Sequence, residues 1–490
     1  MQSTNHRSPR TAHVAALALL AAASVWFAAA TVPGLQAAYS YWFDELYSVV
    51  ISRDDLGSAL RLTFEDVHPP LYQVILWAWM SLFGSGESAT RALSVVAMLA
   101  GLGVLLSLRR HLGLTTTLVL SSFVLLSPQT VYYAQETRSY ALLLFLGCLC
   151  LRALVTGDRR LLYVSALLLG LTHYFGAILG SLALVYLVLT RPTPRTFLAA
   201  LAVFCVIAVW PAAQLATGST ADLLGGNFWI RTGARHAVEL GIAAAWPGLD
   251  LLMGKVSGAL GLAGETAETV AAFGVVAVVI MLGLAVVLFA RRDAKLLMLA
   301  GGTVGALVFV VGALSLHTPL ATSRNFIELV PFGALALAIP LARALRGPVW
   351  ASVPAMAFCA LYATVSISHS ATQMAVRKNP SHPYQALLAH AEAAAEAGDV
   401  PLFLYDVKAP VFRDIMAFYL SEPDQAEAMK YAEGEADLPP DFILLFLNES
   451  CERLGEDLER LSKSYQSTEI DGTFSQGCDY TSGALRLSRS

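Results

Sequence analysis

Long apolar runs separated by short polar loops recur along the chain. They stand at 14–32, 92–108, 113–127, 139–155, 160–172, 175–190, 196–216, 267–290, 296–316, 325–345 and 348–370. A helix crosses the hydrocarbon core of a bilayer in roughly 20 residues, and shorter helices are accommodated, so the runs predict about eleven crossings. The segment at 71–83 is too short to cross alone. Pro69 and Pro70 suit its first turn, Gly84 its end, and Trp77 and Trp79 a headgroup-level anchor, which reads as an interfacial or re-entrant helix.

Charge falls unevenly between these runs. One set of loops carries Arg109 and Arg110, then Arg152, Arg159 and Arg160, then Arg191 and Arg195, then Arg291, Arg292 and Lys295, then Arg343 and Arg346. The other set holds Glu136, Asp222, Glu239, Asp250, Glu265 and Glu268. The positive-inside rule places the basic loops and residues 1–13 in the cytoplasm. An odd number of crossings then puts the chain beyond 370 outside a cell (inner) membrane that the protein crosses many times. The first run follows His6, Arg7 and Arg10 and precedes Gln36-Ala37-Ala38, the marks of a signal peptide. Its length favours a retained span, and on either reading the loop after it lies outside.

After Ser370 the composition turns polar and charged. Within 371–490 the pattern predicts helices at 382–397, 409–420 and 448–461 and strands at 401–407 and 441–447, an extracytoplasmic α/β domain beside the membrane domain of 14–370. Cys451 and Cys478 stand in this part as a candidate pair whose geometry sequence cannot supply. Cys148, Cys150, Cys205 and Cys359 lie in apolar helices as small core residues.

The composition, 56% hydrophobic and 14% charged over 490 residues with a net charge of -4, excludes a soluble enzyme of this size. No basic stripe interleaved with aromatics points to nucleic acid, and no zinc pattern, phosphate loop or Gly-rich turn between strand and helix is present. Chemistry outside the cytoplasm therefore needs an activated donor other than a free nucleotide sugar. A sugar carried on a polyprenyl phosphate fits.

Against this sparse background of charge, the first external loop, 33–91, gathers Asp44, Glu45, Asp54, Asp55, Glu65, Asp66 and His68. Carboxylates held at a membrane face are costly unless solvated, paired or used. Asp54 and Asp55 suit caps on the segment 56–62, and Asp66 with His68 suits either a turn before Pro69 or a site. Arginine grips phosphate with parallel bonds, and Arg138 and Arg324 sit at outer helix ends beside aromatic or polar residues. Arg91 and Arg53 are weaker candidates.

The stretches FDELYSVVISR from Phe43, D-x-HPPLY at 66–72, LFGSGESATRALSV at 82–95, YYAQETRSYALLL at 132–144, HYFGA at 173–177 and SRNFIELVPF at 323–332 carry a resemblance. They are similar to the bacterial relatives of protein O-mannosyltransferases and the lipid A aminoarabinose transferase, members of the GT-C glycosyltransferases. The resemblance spans roughly 14–370. It implies a membrane glycosyltransferase that takes a sugar from a polyprenyl-phosphate donor to an extracytoplasmic acceptor, with Asp44 as catalytic base and Glu45 as its acidic neighbour. Asp66, His68, Tyr133, Arg138, His173 and Arg324 are the expected substrate-binding residues.

No cofactor is obligatory on this reading. A divalent metal beside His68 and the carboxylates stays open, since some GT-C enzymes use one. Two rival functions also remain: a transporter or flippase of a lipid-linked or small polar substrate, and a non-catalytic envelope assembly factor. The acidic cluster lies in a surface loop rather than on broken helices at the midplane, and no inverted repeat is visible, which favours the enzyme.

Overall fold

The computed structural model describes residues 9–36, 40–66, 68–218, 233–245, 291–318, 320–378, 401–403, 430–431, 440–450, 455, 458–472 and 480–489. From the N-terminus, the helices are α1 (Pro9–Leu35), α2 (Phe43–Ile51), α3 (Leu56–Glu65), α4 (Leu71–Phe83), α5 (Glu87–Ser107), α6 (Arg109–Leu112), α7 (Leu114–Leu126) and α8 (Pro128–Tyr133). Then come α9 (Tyr140–Thr156), α10 (Arg159–Thr172), α11 (Tyr174–Thr190), α12 (Pro194–Thr217), α13 (Ala234–Ala245) and α14 (Arg291–Leu314). A 3-10 segment, Ser323–Leu329, leads into α15 (Val330–Leu345), and α16 (Val349–Lys378) follows.

The protein is a polytopic helical membrane protein. Six segments among the described residues are long and apolar enough to cross: Arg10–Leu35, Glu87–Leu112, Pro194–Thr217, Asp293–Leu314, Ser323–Leu345 and Val349–Ala375. The expected crossings at 113–127, 139–155, 160–172 and 175–190 are helices of 13 to 17 residues, which at 1.5 Å per residue reach only about 20–26 Å. The one expected at 267–290 lies outside the described residues, as do the helices expected at 382–397 and 409–420.

The apolar helices divide by what they face. Ser323–Leu345 is 89% buried over its most apolar stretch against 17% for that of Pro194–Thr217, although both are apolar enough to cross. The first is rich in alanine, which lets neighbouring backbones come close; the second presents Phe197, Leu198, Phe204 and Val209 outward, as a lipid-facing helix does. Helix α7, sealed along its length, packs between α1 and α15 at the centre. The expected continuous helix at 325–345 instead starts as a 3-10 turn, and the α-helix begins where Pro331 occupies its first turn.

The first external loop is mostly helical. Asp55 caps α3, accepting from Gly57 N at 2.8 Å, Ser58 N at 3.1 Å and Ser58 Oγ at 2.7 Å. Asp54 makes no cap; it is exposed and lies 3.8 Å from Arg53. Helix α4 occupies the expected 71–83 and stops at Gly84, but its indoles are tied to protein: Trp77 donates to Asp54 O at 3.0 Å and Trp79 to Ala89 O at 2.7 Å.

Beyond the membrane helices, β1 (Pro401–Phe403), β2 (Lys430–Tyr431), β3 (Asp441–Ser450), β4 (Tyr465–Gly472) and β5 (Tyr480–Arg489) form one sheet in the order β2-β1-β3-β5-β4. Strand β1 runs parallel to both neighbours, and the other pairings are antiparallel. Phe442, Leu444, Leu461, Tyr465, Leu485 and Leu487 make its core. Strand β3 extends to Ser450, into the stretch expected as helix 448–461, because its ladder with β5 continues to Tyr480. Strands β4 and β5 are additions to the expected pattern. Cys451 and Cys478 lie outside the described residues.

Candidate active site

Helix α2 sets two acids side by side in its first turn and gives them different surroundings. Asp44 keeps its side chain 20% exposed. Arg324 Nη1 donates to Asp44 Oδ2 at 2.8 Å, and Arg138 Nη2 lies 3.9 Å from the same oxygen. Arg138 is fixed further by Nη1, which donates to Ser48 Oγ at 2.9 Å and Asp44 O at 3.2 Å. Burial opposes the Arg138 charge, but Asp44 and then Tyr140 outweigh it and hold the guanidinium above its usual range. The Arg324 guanidinium lies between the Trp42 and Tyr140 rings, 5.7 Å from each centroid. Such faces attract a cation.

Glu45 has been taken out of reach. Arg91 Nε donates to its Oε1 at 2.9 Å and Arg91 Nη2 to its Oε2 at 2.8 Å, a two-pronged pair with side chains 0% and 1% exposed. Thr137 N also donates to Oε1 at 2.9 Å, and Trp42 N to Oε2 at 3.4 Å. This carboxylate ties α2 to α5 and to the loop that carries Arg138. The expected catalytic neighbour is thus a brace, and Arg91, a weaker phosphate candidate from sequence, is its partner. An arginine inside an apolar helix was the available signal, since such a charge needs a counter-ion.

A second cluster stands near Arg138, whose charge is felt at His173. His68 Nδ1 and Asp66 Oδ2 are 2.8 Å apart, with side chains 20% and 18% exposed. The His68 ring meets His173 edge-on at 5.5 Å, and His173 continues to Tyr140 at 6.1 Å. His173 Nδ1 accepts from Phe175 N at 3.2 Å, which leaves Nε2 as the protonated nitrogen of the neutral ring. Burial, then His68, Arg138 and Arg324, push the His173 pKa well down. The turn at Asp66 is pinned from α12, where Gln214 Nε2 donates to Asp66 O at 2.6 Å and Trp210 Nε1 to His68 O at 3.2 Å. Among the described residues no three His, Cys, Asp or Glu side chains gather as a metal site.

The structure therefore brings Asp44, Arg138 and Arg324 together and sets Asp66, His68 and His173 beside them. Tyr133 is buried, its ring edge-on to Tyr132 at 5.1 Å and tilted against Tyr140 at 4.8 Å. Trp42 and Ser48 join the site without having been singled out, and Tyr140, one of the aromatics beside Arg138 in sequence, lies against Arg324.

By fold, the chain matches a crystal structure of ArnT from Cupriavidus metallidurans in the apo state, with a TM-score of 0.53 at 13% identity over 94% of this chain and 97% of that one. The chain has the GT-C glycosyltransferase fold. The same bacterial protein bound to undecaprenyl phosphate matches with a TM-score of 0.53 at 14% identity, over 96% of this chain and 97% of that one. The family model for dolichyl-phosphate-mannose-protein mannosyltransferases, also of GT-C type, matches residues 67–213. That stretch holds His68, Arg91, Tyr133, Arg138 and His173; Asp44, Glu45, Asp66 and Arg324 fall outside it. No curated protein sequence matches the chain.

Proposed function

We propose that this GT-C protein transfers a sugar from a polyprenyl-phosphate donor to an extracytoplasmic hydroxyl by inverting displacement, with Asp44 as the base. The observation that carries the reading is the convergence of one part-exposed carboxylate and two guanidiniums, Arg324 at 2.8 Å and Arg138 at 3.9 Å from the same oxygen. The solved ArnT complex holds undecaprenyl phosphate, which supports a lipid-phosphate donor.

Each group has a task. Asp44 takes the proton of the acceptor hydroxyl while its oxygen attacks the anomeric carbon opposite the leaving group. The bond from that carbon to the phosphate oxygen breaks, and Arg138 and Arg324 hold the charge that builds on the lipid phosphate. Donor phosphate that draws Arg324 away also frees the Asp44 oxygen that Arg324 occupies. His68 and His173, neighbours of Arg138, line the sugar side. Glu45 keeps α2 in place and takes no proton. The chain beyond α16, which runs on from the expected boundary at 371 to Lys378, is assigned as a separate extracytoplasmic domain.

The test uses protein in nanodiscs with a panel of polyprenyl-phosphate sugars, reading release of free polyprenyl phosphate. Wild type is expected to consume one donor and Asp44→Asn to lose about 10²–10⁴-fold in rate. Equal release by both would remove Asp44 as base. Donor binding without release in the presence of acceptor extracts would favour transport.

A further inference from the structure

Helix α9 begins at the candidate site, where Tyr140 faces Arg324, and ends at Thr156. Its 17 residues carry the chain roughly 25 Å away, toward the opposite end of the helix bundle. There, between the end of α9, the start of α10 and the end of α11, lies a cavity of about 210 Å³ lined in part by Gly157, Asp158, Arg159, Tyr186, Thr190 and Arg191.

Its polar side is cationic. Arg191 Nη1 donates to Gly157 O at 3.2 Å, and a Cβ on Gly157, whose φ is +69°, would sit 2.8 Å from Arg191 Nη2. The missing side chain thus lets the guanidinium lie on the backbone, fixed with donors to spare. Arg159 makes no hydrogen bond or ion pair among the described residues. Asp158 also lines the cavity, with one carboxylate oxygen accepting Leu161 N at 3.1 Å to cap α10. Two guanidiniums against one carboxylate leave positive charge in excess. Arg109, Arg110, Arg152, Arg160 and Arg195 surround this end of the bundle in sequence, which marks it as the cytoplasmic face.

Its other side is apolar. The last turns of α11 expose Leu189 by 75% and Val185 by 54%, and Tyr186 reaches from that surface into the cavity wall. A ligand with a phosphate and acyl chains satisfies both sides, the phosphate on the arginines and the chains along α11. We propose that this cavity binds the phosphate headgroup of an anionic phospholipid of the cytoplasmic leaflet. The site is remote from Asp44 and does not depend on the transferase reading.

Protein purified in zwitterionic detergent is titrated with phosphatidylglycerol, phosphatidylcholine or inorganic phosphate, and bound lipid is counted by native mass spectrometry alongside a melting curve. Wild type is expected to retain phosphatidylglycerol over phosphatidylcholine. Arg159→Ala and Arg191→Ala should each weaken retention about fivefold, with Arg160→Ala, outside the cavity lining, unchanged. Arg159→Ala removes no hydrogen bond or ion pair to a described residue, so the result is not confounded by misfolding. Equal retention of phosphatidylglycerol by wild type and the Arg159→Ala/Arg191→Ala double variant would overturn the site. Stabilisation by inorganic phosphate equal to that by phosphatidylglycerol would overturn the lipid assignment.

Discussion

Consecutive residues of α2 anchor two clusters of the same chemistry, a carboxylate with arginine, arranged to opposite ends. The Glu45–Arg91 cluster is sealed, and both Glu45 oxygens are occupied by four donated bonds. The Asp44 cluster is part-exposed, holds two arginines for one carboxylate, and meets one of them only at 3.9 Å. A saturated pair stabilises a geometry, whereas an unsaturated one still has bonds to offer a ligand. Residue type does not separate brace from working group here; leftover bonding capacity does.

The largest expected effect comes from exchanging charge for amide at the two positions. Asp44→Asn is expected to cost activity, as above, with its melting temperature close to wild type. Glu45→Gln leaves Arg91 buried without a counter-charge and is expected to cost about 3–5 kcal/mol of stability. Melting curves beside donor consumption check the pair, and a reversed pattern, with Glu45→Gln stable but dead, would break the distinction.

Part of that distinction was legible in sequence. The DE pair, the arginines of YYAQETRSY and SRNF, and HPPLY all fall at helix ends or in the short segments beside them. The pairing of Glu45 with Arg91 spans 46 positions and crosses from α2 to α5, so no local pattern announces it. The same limit applies to β4 and β5, whose pairing with β3 is a long-range choice that YQSTEIDG and YTSGALRLSR do not declare locally. Helix α4 was legible to the residue because its stop and start are both local: Pro69 and Pro70 before it and Gly84 after.

A smaller effect sharpens the open cluster. Arg324→Lys keeps the charge but loses the planar group that rests between Trp42 and Tyr140. The expected loss approaches about 10²-fold in kcat, measured at saturating donor. An unchanged kcat would mean that charge alone suffices and the aromatic faces serve packing.

The smallest concerns pH. His173 is held neutral by burial and by the cations around it, with its pKa below the usual 6.5. The unfolded chain takes up that proton as pH falls through about 6.5 while the folded chain does not. Stability is therefore full above that range and declines below it, until the folded pKa is reached. In His173→Gln the decline below pH 6.5 should be shallower, as read from melting temperatures between pH 5 and 8. A parallel decline in both proteins would place the titrating group elsewhere.

Helix α9 and the 3-10 segment meet where Gly147 faces Glu328, so closely that a Cβ would lie 2.8 Å from Glu328 O. Arg138 lies two residues before the start of α9, and Arg324 belongs to that segment. Contact between two main chains has no rotamers with which to absorb a displacement. The separation of the two arginines is therefore a property of the backbone, like the gap of a caliper with a welded hinge, and it rests on the absence of one methyl group.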